Sequence, residues 1–134
     1  MDPVAYPWLT ANAQWKPVSV ILQAADVSMR FFVNTTGVDY RVREVAANFR
    51  VTSTSGTLDI ERTTSTTAPG SGTTQLTGTM SLSGTANTTV NGAVKEEPDV
   101  LRNGDSLSAK LAGTLTGLAD CCVTVMLEPV PVGI

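Results

Sequence analysis

The chain has 134 residues, of which 42% are hydrophobic, nine are basic and twelve acidic, none is histidine, and the formal charge is −3. That length and composition suit one domain around one modest core. The acidic balance argues against a nucleic-acid surface, which needs a concentrated Lys/Arg field, and no apolar run approaches the roughly 20 residues that span a bilayer as a helix.

The opening "MDPVAYPWLTANAQW" lacks the basic and apolar regions of a secretory signal, so the chain reads as soluble and unprocessed. The sequons at Asn34 and Asn87 then read as by-products of Thr-rich composition. Residues 1–17 hold Pro3, Pro7 and Pro17 with Tyr6, Trp8 and Trp15, the signature of an extended arm. Rings of that size are not expected to stand in water. The arm packs either on its own domain or on a partner.

From Val18 to the end the chain reads as one β-sandwich domain, residues 18–134. Val18, Val20, Leu22 and Ala24 share one face of a first strand, opposite Ser19, Ile21 and Gln23. In the next run Met29, Phe31 and Val33 oppose Arg30 and Phe32. In "VDYRVREVAANFRVTS" Tyr40, Val42 and Glu44 oppose Arg41, Arg43 and Val45, and "AAN" is the expected site of a bulge. "SGTLDIER" places Leu58 and Ile60 inward and Thr57, Asp59 and Glu61 outward.

The Thr-rich middle is interrupted by Leu76, Met80, Leu82 and Val90, which predicts short strands and long loops rather than disorder. "TAPGSGTT" reads as a flexible loop and "SGTANTT" as room for one helical turn. Asn103-Gly104 is a hairpin signal. It precedes an alternating run in which Leu107, Ala109 and Leu111 oppose Ser106, Ser108 and Lys110. In the last run Cys121, Val123, Val125 and Leu127 oppose Cys122, Thr124, Met126 and Glu128, and these two runs are expected to form an edge hairpin. The fold class is all-β: an antiparallel two-sheet sandwich with an extended N-terminal arm. A jelly roll is the commonest way to arrange about eight such strands.

Chemistry has few candidates. Adjacent Cys121 and Cys122 leave a strand on opposite faces and cannot bridge each other, so both read as reduced, buried small hydrophobes. Without histidine there is no Ser-His or Cys-His arrangement, and a zinc site would need an unusual ligand set. Asp59 with Glu61, and Glu96, Glu97, Asp99 and Asp105, could serve a carboxylate hydrolase or calcium. Their polar contexts favour plain solvation, and no EF-hand spacing is present. Trp8 and Trp15 could stack on a sugar, although burial is the favoured reading. Arg41 and Arg43 fall on one strand face, and arginines early in the chain against acids later would suit head-to-tail contacts between copies.

The run "GTLDIERTTSTTAPGSGTTQLTGTMSLSGTANTTVNG" followed by "LRNGDSLSAKLAGTLTGLADCCVTVMLEPV" resembles small virion structural proteins of tailed bacteriophages, over about the last 80 residues. The resemblance implies a capsid decoration, or cement, protein on the outer surface of the virion. Such a protein is non-enzymatic and often trimeric, with the major capsid protein and copies of itself as partners and no cofactor, nucleic acid or membrane. Tyr6, Trp8, Trp15, Arg41 and Arg43 are the partner-binding residues that fit this expectation. A receptor- or carbohydrate-binding module of a tail fibre or baseplate is the alternative.

Overall fold

The computed structural model describes residues 14–130, so Tyr6 and Trp8 lie outside the described residues. Among those described, nine strands and no helix are present: β1 (Lys16–Leu22), β2 (Met29–Val33), β3 (Asp39–Asn48), β4 (Thr57–Thr63), β5 (Thr73–Thr74), β6 (Met80–Ser81), β7 (Val90–Gly92), β8 (Ser106–Ala112) and β9 (Cys121–Val130). They form two antiparallel sheets. Sheet A has the order β1-β9-β3-β7, and sheet B the order β2-β8-β4-β5 with β6 also on β4. Apart from β4, β5 and β6, each successive strand lies in the opposite sheet.

This arrangement follows from the period-two pattern, because each strand has one apolar face that needs an opposing sheet. Leu22, Val42, Val45, Val123, Val125 and Leu127 of sheet A and Leu58, Ile60, Leu107 and Ala109 of sheet B are all at most 2% exposed. β1 lies at the edge of sheet A and begins at Lys16, two residues earlier than the apolar alternation suggests. Pro17 is tolerated there because an edge strand has one side without ladder bonds.

Several expectations need correction. The bulge in β3 falls between Val42 and Glu44, not at "AAN", so Glu44 is exposed and Val45 turns inward. A second bulge between Arg30 and Phe32 carries Phe32 to Leu107, on the side of Met29, and leaves Val33 exposed. Ala24 has left the strand for an exposed turn. "SGTANTT" makes turns rather than helix, with Asn87 at φ 58°.

The Asn103-Gly104 hairpin is also absent. The Asp105 N–H donates to the Arg102 carbonyl, and of the two central residues Gly104 has positive φ, +90°. A turn of that kind needs glycine at its third position and is not a two-residue strand connector of the type that needs two positive φ values. It takes the chain from Leu101, which bridges Tyr40 beside sheet A, into β8 of sheet B. β8 and β9 are therefore interior strands of different sheets rather than an edge hairpin.

Candidate functional site

The outer faces of the two sheets differ, and that difference locates the site. On sheet B the alternation that should expose Glu61, Ser106 and Ser108 instead buries them, each at most 2% exposed, together with Thr63. The loop between β4 and β5 folds back over them. Its Gly70 and Gly72 N–H groups donate to the two oxygens of the Glu61 carboxylate, the latter at 3.2 Å, and Arg30 of β2 donates to the Thr67 carbonyl. Thr63 Oγ1 lies 2.6 Å from Ser106 Oγ and 3.0 Å from Ser108 Oγ. Gly72 is required here, because a Cβ would stand 2.4 Å from the Arg62 carbonyl oxygen. The expected flexible loop is thus a bonded cover.

Sequence reasoning missed this cover, since a Glu in clean alternation reads as solvated. Its one local signal is a loop with two glycines shortly after the acid. Asp59, by contrast, remains partly exposed, accepting a bond from Thr74 Oγ1 at 2.6 Å. The two acids thus differ in environment, Glu61 buried under the loop and Asp59 partly exposed.

Sheet A has no such cover among the described residues. Its outer face carries Ile21 (53% exposed) and Cys122, with Thr124, Met126, Ala46 and Asn48 half-buried. Two hollows lie side by side on it. The larger, about 470 Å³, is lined by Arg43, Glu44, Ala46, Asn91, Thr124 and Met126. The smaller, about 170 Å³, shares Ala46 and Thr124 and adds Asn48, Thr89 and Cys122. β7 is three residues long, so β3 is only partly flanked and its face falls away beside Asn91.

Arg41 and Arg43 stand at one end of this face. Arg43 Nε donates to Glu128 Oε1 at 2.7 Å, and Arg41 is opposite Glu128 in the ladder. Arg41 Nε is buried with no hydrogen-bond partner among the described residues. Trp15, just ahead of β1, is 52% exposed. The structure therefore places Arg41 and Arg43 together on sheet A, with Trp15 near its edge strand.

Other charges pair within the chain. Arg50 bonds Asp120 at 2.6 Å, Arg62 bonds Asp105 at 3.1 Å, and Arg102 lies 3.7 Å from Asp39. These intramolecular pairs use part of the early-basic, late-acidic split. Asp120 is held below its ordinary pKa, first by the hydrogen bond from Gln23 and then by Arg50. Burial pushes the Cys121 thiol up to about 11, with the Cys122 charge adding to it.

Both cysteines are free, but only Cys121 is buried; Cys122 is exposed on the outer face, which corrects the expectation of two buried thiols. The cause is the alternation itself, since among the described residues no layer lies over the outer face of sheet A to bury the second thiol. Among the described residues no three His, Cys, Asp or Glu side chains gather as a metal site would require. The face carries apolar and small residues, two hollows, and Arg41, Arg43, Glu44 and Glu128 at one end. Comparison with protein-family models, curated proteins and solved structures finds no match to this chain.

Proposed function

We propose that this chain is a non-enzymatic structural protein of a tailed-phage virion, a decoration or cement protein that bridges capsomers on the outer capsid surface as a homotrimer. Strand order is the observation that carries the reading. With β5 and β6 counted as one interrupted strand, the orders β1-β9-β3-β7 and β2-β8-β4-β5 support reading the sandwich as two interleaved Greek keys, a jelly roll. Viral coat domains use that arrangement widely. Fold alone does not carry function, and the outer face of sheet A, which has no cover among the described residues, supplies the local support. A face of small and apolar residues with Arg41, Arg43, Glu44 and Glu128 at one end suits docking on protein, with the major capsid protein as the partner.

Lectins share the arrangement, and the hollow rimmed by Arg43, Glu44 and Asn91 favours a carbohydrate-binding module as the second reading. Two measurements separate them. Light scattering of the reduced protein should give three times the 14.0 kDa chain mass. Added to phage heads from which it has been deleted, it should sediment with them saturably. A protein that ignores the heads but binds a glycan array saturably would transfer the assignment to the second reading.

A further inference from the structure

We infer that residues 64–72, the strap between β4 and β5, open and close as a unit while the sandwich stays folded, with Glu61 and Arg30 as the catches that hold them shut. A segment that packs through apolar side chains cannot leave without opening the core. This one has no such tie. None of residues 64–72 is buried or belongs to the core, and Ala68 and Pro69 are its only apolar side chains, one exposed and one half-buried.

The catches are polar and few. Outside the β4–β5 ladder, among the described residues, the hydrogen bonds of the strap to the rest of the fold end on two side chains. Gly70 and Gly72 donate their N–H groups to the Glu61 carboxylate, and the Arg30 guanidinium donates to the Thr67 carbonyl. Charge strengthens each bond, but a segment with so little apolar contact belongs to the low-stability end of a fold.

The strap also has its own internal order. The Thr67 N–H donates to the Thr64 carbonyl at 3.3 Å and the Ser71 N–H to the Ala68 carbonyl at 3.0 Å, and the Thr64 and Thr67 hydroxyls lie 2.7 Å apart. These turns owe nothing to the sheet beneath, so they survive when the strap lifts. Both ends are fixed posts. Thr63 is bonded to Ser106 and Ser108, and beyond the strap the fully buried Gln75 donates its N–H to the Ile60 carbonyl and accepts the Asp99 N–H, each at 2.8 Å. Gly70, at a φ of +94°, is the place near the second post where the backbone turns most freely. Opening bares Glu61, Thr63, Ser106 and Ser108 on the outer face of sheet B. All four carry oxygens that water can bond in place of the strap, so the open state exposes no apolar core.

Native-state hydrogen exchange of the full chain is the test. The Gly70 and Gly72 amides should exchange at least tenfold faster than interior ladder amides of β8 and β9, at a rate that hardly responds to urea below the unfolding transition, because opening exposes little surface. Glu61→Gln keeps the shape of the side chain but sets an NH2 group against one of the two N–H donors. It should raise the exchange of both amides at least tenfold further, still without urea dependence. Arg30→Met, at an exposed side chain, should raise it by less and replaces the first variant should Glu61→Gln misfold. Exchange of Gly70 and Gly72 only together with the ladder amides, with the same steep urea dependence, would overturn the inference. So would a folded Glu61→Gln protein whose two amides exchange at the parental rate.

Discussion

The two outer faces of the sandwich start from the same pattern and end differently. On sheet B the outward residues Glu61, Thr63, Ser106 and Ser108 are buried under the chain's own loop. On sheet A the corresponding layer is left to Ile21, Cys122, Thr124 and Met126, exposed or half-buried. Polar side chains satisfied by a local cover add to stability on sheet B, whereas the outer face of sheet A has no such cover among the described residues.

Glu61→Ala should make the largest difference between the faces. It orphans two backbone N–H groups and opens a cavity under the loop, a loss of about 2–4 kcal/mol in urea unfolding. Glu44→Ala on sheet A, where the side chain is exposed, should cost no more than about 0.5 kcal/mol. Equal losses would break the comparison. Next in size is Thr63→Val, which keeps the shape of the side chain but removes the bonds to Ser106 and Ser108. A loss of about 1–2 kcal/mol is expected, read from the denaturation midpoint at constant slope.

The smallest effect belongs to Asp120, exposed at the entry to β9. Its folded pKa lies below the ordinary 3.8, so the ionised form is favoured in the native state. The resulting stability is present above about pH 4 and is lost as pH falls through the folded value. Asp120→Asn, which still tolerates the positive φ of 50° at this position, should flatten the acid limb of thermal stability and change little at neutral pH. An unaltered acid limb would show that the bonds from Gln23 and Arg50 carry no linkage.

Much of this contrast was legible in the residues. The inward residues of β4, β8 and β9 follow from alternation, and so does the placing of Cys121 and Cys122 on opposite faces, whereas bulges in β2 and β3 brought Phe32 and Val45 inward against the plain alternation. Arg41 and Arg43 share a face as their spacing suggests, although the bulge between Val42 and Glu44 changes how they do so. The fate of Glu61 was not legible. Alternation reports which face a side chain leaves from, and a loop nine residues later decides whether water reaches it.

The sequence by itself determined an all-β chain with two apolar strand faces to bury, because period-two hydrophobicity has no other compact solution. Tertiary structure decided the rest. Which strands became neighbours, with β8 and β9 parted into different sheets, depends on pairings between residues far apart in the chain. Which outer face was covered depends on where the loop between β4 and β5 found its hydrogen bonds. Neither is encoded in any local window, since each draws its energy from contacts that exist only once the sheets have packed.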